Sequence, residues 1–235
     1  MFAGISKGGF ANGPTFAAAP FLAIVLPPTQ AVALMLPMLM VMDAAAMRAY
    51  WRQWDWAAAR PLLIGAVPGI VAGALVFRLI DGDLVRLVIG LIAVGFVGYQ
   101  ISLSRGWIRL GRGEASAGSG LFWGALCGFG SFVSHAGGPP SAVHLLRCDL
   151  GKTAYQATSV LAFAVINALK FAVYAGMGLF SGGAVWAMIT LVPFAIAGTL
   201  LGVWAHGRVS NALFFKLAYL FLTLTGLKLI FDALT

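Results

Sequence analysis

The chain has 235 residues, of which 61% are hydrophobic and 9% charged, with a formal net charge of +8. An ordinary soluble domain carries about 25% charged residues, so the composition excludes a soluble globular fold and makes lipid the solvent. The positive balance would suggest nucleic acid in a soluble protein. Here Lys and Arg fall mostly in connecting segments, where they read as topology signals and headgroup contacts, and no nucleic-acid partner is expected.

The opening MFAGISKGGFANG has no charged n-region, long apolar stretch or cleavage site of a signal peptide. It begins almost directly on a glycine-rich break, which raises the expectation that an N-terminal helix is missing. Residues 2–26 form an interrupted apolar element, and three apolar runs follow at 29–48, 61–80 and 84–103. Each is close to the roughly 20 residues an α-helix needs to cross the hydrocarbon core. The polar segment 104–120 then separates this group from a second. A second interrupted element spans 121–146, with apolar runs at 152–177, 184–205 and 211–232. The expected fold is an all-α integral membrane protein of two repeats, 1–103 and 121–235, joined by a cytoplasmic connector.

Internal comparison supports the duplication. A shift of 124 residues pairs Thr29 with Thr153, Ala33 with Ala157 and Asp43 with Asn167; a shift of 125 pairs Pro68 with Pro193. KGGF at 7–10 echoes AGGP at 136–139. If the interrupted elements dip in and return, the halves are inverted. Arg48, Arg52, Arg60, Arg105, Arg109, Arg112, Arg147, Lys152 and Arg208 then gather on one face, leaving Arg78, Arg86 and Lys228 on the other. Eight full spans would leave roughly seven against five, so the sharper asymmetry favours inversion.

Irregular backbone survives at membrane depth only where protein buries it or where it lines a wet cavity. Both breaks read as helices starting again. Asn12 or Gly13 is placed to cap before Pro14, and Gly138 before Pro139. A helix N-terminus offers unpaired N–H groups and the positive end of its dipole, so two meeting near mid-membrane would hold an anion. Gly8, Gly9, Gly137 and Gly138 would allow close approach of that ligand to the backbone. Lys7 and His135 lie in or beside the breaks, with Ser6 and Ser134 next to them. Ionisable groups at this depth are costly and mark function by default.

Each has a competing structural reading. Lys7 could snorkel to headgroups, His135 could be satisfied by loop carbonyls, and the glycines could serve helix packing. Asn167 completes the binding set of Ser6, Lys7, Gly8, Gly9, Asn12, Gly13, Ser134, His135, Gly137 and Gly138; its repeat partner Asp43 is with His135 a proton-coupling candidate, a pair with Arg48 being the alternative for Asp43. Lys170 lies one turn from Asn167 on the same face, and snorkelling is its alternative. Thr158 and Ser159 are weaker contacts, with a bond to the carbonyl four residues earlier as the plainer role. Trp51, Trp54, Trp56 and Trp107 read as an interfacial aromatic belt. Cys127 and Cys148 belong to no CxxC or Cys/His cluster, so neither disulfide nor metal is expected. No cofactor is expected either: no GxxxxGK[ST] appears. HExxH and GxSxG are also absent, so an intramembrane enzyme is a distant reading and a passive anion channel a nearer one.

The stretch GISKGGFANGPTFAAAPFLAIVLPPTQA, its echo SHAGGPPSAVHLL and the duplicated hydrophobic units resemble the sulfite exporter TauE/SafE family of bacterial membrane permeases. The resemblance spans nearly the whole chain. It implies a secondary transporter of a small oxyanion, such as sulfite or an organosulfonate, in the bacterial cytoplasmic membrane, with Gly8, Gly9, Gly137 and Gly138 on the family's glycine motifs. Lipids and a small anion are the partners it implies, and proton coupling is the expected drive. Members usually carry more residues before the first glycine motif than this chain does.

Overall fold

The computed structural model describes residues 2–9, 18–79, 81–107, 116–180, 182–205 and 211–235. Among these, every regular element is an α-helix. In chain order they are α1 (Phe2–Gly9), α2 (Ala18–Ala23), α3 (Pro28–Ala49), α4 (Trp56–Leu79) and α5 (Gly82–Ser104). The second half supplies α6 (Ala117–Ser134), α7 (Gly138–Leu145), α8 (Lys152–Gly176), α9 (Gly182–Ala205) and α10 (Asn211–Leu234). Four helices among the described residues, α3, α4, α5 and α8, are long and apolar enough to cross a membrane. Large apolar side chains such as Val71, Leu75, Leu91 and Phe194 stand exposed on the outside, as lipid-facing positions do. This is an all-α membrane protein.

The helix starts follow from local capping chemistry. Asp81 precedes α5 and its carboxylate accepts from Leu84 N at 2.8 Å. Asp55 does the same for α4, accepting from Ala58 N at 2.8 Å, so α4 begins at Trp56 rather than at Pro61. Ser116 caps α6, which therefore starts at Ala117, inside the segment read as connector. Each cap satisfies a backbone donor that the helix leaves orphaned.

Packing between the halves is reciprocal. α6 lies along α4, and α1 lies along α9; α3 meets α8, and α5 meets α10. The last two pairs run antiparallel. Gly90 of α5 faces Gly226 and Ile230 of α10, while Gly226 faces Ala93 and Val94. In α3 and α8, Asp43 meets Asn167, and Ala46 and Tyr50 cluster with Ala157 and Val160. Close approach depends on bare α-carbons. A side chain on Gly69 would strike the Ala125 carbonyl of α6, and one on Gly8 the Thr199 carbonyl of α9. Such contacts are how helices gain packing energy where lipid removes the hydrophobic drive.

The second interrupted element doubles back. From α6 the chain turns at residues 135–137 and returns along α7, so that His144 reaches Gly120 and the Arg147 guanidinium lies 3.4 Å from Ser119 Oγ.

Candidate functional site

The site is a chain of polar groups buried where α1, α3, α6 and α8 meet. Lys7, in the last turn of α1, is 1% exposed, and its ammonium lies 2.7 Å from Asp43 Oδ1 of α3. The approach is off the direction of a hydrogen bond, so the contact is chiefly charge against charge. The same ammonium sits 5.8 Å from the centroid of the Phe163 ring. Asn167 of α8 donates from Nδ2 to Asp43 Oδ2 at 2.7 Å, which turns its carbonyl oxygen toward Lys170 Nζ, 3.4 Å away. Lys170 is fully buried, and its amine also lies 3.1 Å from Ser131 Oγ and 2.7 Å from His135 Nδ1. The far nitrogen of His135, Nε2, is 2.9 Å from the Val32 carbonyl. A carbonyl only accepts, so Nε2 carries the proton and Nδ1 is the acceptor facing Lys170; this tautomer is assigned from the partners.

Local backbone builds that geometry. α6 closes on a left-handed C-cap, with His135 N donating to Ser131 O four residues back and Ala136 N to Gly130 O six back, both at 3.0 Å, a nested pair one residue wider than the Schellman motif. The left-handed residue of such a motif is usually glycine, yet here it is His135 at φ 57°. A left-handed residue with a Cβ costs about 1–2 kcal/mol. The imidazole's two buried bonds hold it there. Gly137 and Gly138 then start α7, with Gly137 as the cap and Pro139 in the first turn, one residue earlier than expected. A Cβ on Gly137 would come within 2.8 Å of the Cys127 carbonyl, so this glycine lets the returning chain close onto α6.

Lys7, Ser131, His135, Gly138 and Asn167, with Leu39 and Phe163, line a small pocket with room for about one water molecule. The sequence-based expectations divide around it. Lys7, His135, Gly138 and Asn167 line the cavity, and Asp43 is bonded to two of them. Lys7 belongs to helix α1 rather than to a break, and it neither snorkels nor leaves Asp43 to Arg48. Gly8 and Gly9 also serve packing: a Cβ on either would strike the Thr199 or Gly202 carbonyl of α9. Ser134 Oγ donates to Gly130 O at 3.2 Å and is spent on its own helix. Ser6 is buried in α1. Asn12 and Gly13 lie outside the described residues.

Three contributors were missed as site residues. Lys170 was noted only for its helix face, yet it is the hub of the second half. Ser131 lies 124 residues after Lys7, the same shift that relates Asp43 to Asn167, so the repeat itself pointed to it. Gln156 was not noticed at all; its amide donates to the Lys7 and Gly8 carbonyls at 3.0 and 3.3 Å. Tyr50 donates to the Gly8 carbonyl at 2.8 Å, and partial burial pushes its phenol up to about 12, so it remains a donor. Thr158 donates to Ala154 O at 2.7 Å, the plainer of its expected roles, and accepts from Asp55 N. Among the described residues no His, Cys, Asp or Glu cluster could hold a metal ion. Burial, with Asp55 nearby, pushes the Cys148 thiol up, away from reactivity.

The arrangement gathers two lysines, one carboxylate and several neutral polar groups at the buried meeting of the described helices. No curated protein and no solved structure matches the chain. A family model described as sulfite exporter TauE/SafE matches residues 1–229, and the chain belongs to that family of membrane transporters.

Proposed function

We propose that this protein is a secondary transporter of a small anion, of the sulfite or organosulfonate class, in the bacterial cytoplasmic membrane. Two inverted repeats rock about the central cavity and expose it to each side in turn. The antiparallel meeting of α3 with α8 and of α5 with α10 supports inversion, as does the doubling back of α6 and α7. One observation carries the choice of an anion. The buried centre holds two lysines against a single carboxylate, beside the first turn of α7. Charge buried without a partner is costly, and a negatively charged solute supplies the missing partner.

A thermal-shift screen of the purified protein against sulfite, sulfoacetate, isethionate, taurine, sulfate, acetate and phosphate tests the reading. A ligand at about 100 times its dissociation constant stabilises by about 2.7 kcal/mol. Stabilisation by sulfite or a sulfonate, and not by equimolar chloride, is expected. Equal, small responses to every salt would reject a built anion site.

A further inference from the structure

The two buried lysines are not equivalent. Lys7 faces the Asp43 carboxylate at 2.7 Å. Lys170 touches only neutral groups: Ser131 Oγ, the Asn167 carbonyl and the lone pair of His135 Nδ1. Asp43 is already engaged by Lys7 through one oxygen and by Asn167 through the other. Asn167 therefore stands between the carboxylate and Lys170 as a neutral spacer.

α8 packs against α3, α4, α6 and α7. From α3, Asp43 is the ionisable group on this face; from α6 come His135 and the Cys127 thiol, and beyond Asp43 lies Lys7 of α1. Among the described residues of α4, Arg60 and Arg78 are exposed near the helix ends, and on α7 His144 turns to the Ala58 carbonyl instead. Among the described residues no second acid serves Lys170. An ammonium there has hydrogen-bond acceptors but no counter-charge of its own, at a fully buried position. A neutral amine fits the same three partners.

Resting on the reading of this centre as an anion site, we infer that Lys170 takes up one proton together with the anion. One proton and one monoanion then cross the membrane as a pair. The bound anion supplies the counter-charge that makes the ammonium tolerable, and the ammonium holds the anion. When the anion leaves, the proton leaves with it, through the site to the same aqueous face. His135 is a positioning residue: its αL backbone and its bond to Val32 O fix Nδ1 as the acceptor that aims the amine. Lys7 and Asp43 stay paired throughout and carry no proton in the cycle.

The test uses the full chain in liposomes, with isethionate as probe, because a sulfonate remains ionised and cannot bring a proton itself. Radiolabelled counterflow measures the anion; an internal pH dye measures the proton, with the membrane potential clamped. The wild type is expected to move protons in the direction of isethionate, one for one. Its apparent affinity should weaken about tenfold per pH unit wherever the empty site has released its proton. Lys170→Arg, whose guanidinium does not deprotonate, should lose proton movement and pH dependence in whatever isethionate counterflow it retains. Lys170→Met should lose proton movement too, and if it fails to fold the arginine variant still decides. His135→Gln should retain coupling, because the amide oxygen can accept from the amine. Wild-type counterflow without protons, or coupling that survives in Lys170→Arg, would overturn the inference and leave the anion site standing. Absence of isethionate counterflow in the wild type at every pH would remove the anion-site reading and this inference with it.

Discussion

The two halves meet at the centre through equivalent positions that differ in charge. On α3 the position holds Asp43, an acid matched by Lys7 of its own half; on α8 it holds Asn167, 124 residues later, beside Lys170. The first half is neutral within itself and the second carries the surplus. Packing shows no such difference, since α1 closes on α9 and α6 on α4 through bare α-carbons in both cases. The duplicated backbone thus supplies a symmetric frame, and a few substitutions within it decide where a ligand's charge is wanted.

The largest effect is expected from breaking the neutral half. Asp43→Ala leaves Lys7 buried without its partner, and loss of one member of such a pair costs about 3–5 kcal/mol. Thermal unfolding in detergent should show it, and Lys7→Met on top of Asp43→Ala should restore most of the loss. If the single variant melts with the wild type, the pair is not the anchor described. Next comes making the halves alike. Asn167→Asp gives Lys170 an internal counter-ion, so the stabilisation by a saturating anion, about 2.7 kcal/mol at 100 times the dissociation constant, should disappear. An unchanged ligand shift in that variant would show that the surplus charge does not hold the anion.

Packing offers a smaller and symmetric test. Gly8→Ala and Gly69→Ala each drive a methyl into a neighbouring helix carbonyl. Each should cost about 1–3 kcal/mol, the usual range for overpacking, and by similar amounts. A large disparity in melting temperature would mean that the frame is less symmetric than its contacts. The smallest effect belongs to Tyr50→Phe, which removes one hydrogen bond to the Gly8 carbonyl and should cost about 1 kcal/mol. Gln156 remains to hold the end of α1, so transport should persist.

How much of this could be read from the chain differs by level. The long helices were legible because apolar length is dictated by the bilayer, and their centres lie where hydropathy put them. Their starts were less so. The apolar run at 61–80 marks the lipid-crossing part of α4, while the helix itself begins at Trp56, where Asp55 caps it and hydropathy carries no signal. In the site, Lys7, Asp43, His135 and Asn167 stood out because polar groups are rare in such a sequence. What they touch did not. A lysine at position 7 reads equally as snorkelling or buried, and only the fold brings Asp43 to it across 36 residues. The packing role of Gly8 and Gly9 was hidden for the opposite reason: a bare α-carbon suits a ligand and a neighbouring helix by the same geometry, and only the fold shows α9 lying there.

The order of the polar partners along the chain bears on biogenesis. Proteins enter the membrane from the N-terminus as they are made, and an unpaired ionised side chain is costly there. Asp43 follows Lys7 within the first half, so that pair can close before the second half exists. Ser131, His135 and Asn167 all precede Lys170 in the sequence. The amine of Lys170 is therefore the last of its cluster to leave the ribosome, and it enters a bilayer where its cradle has already been laid down.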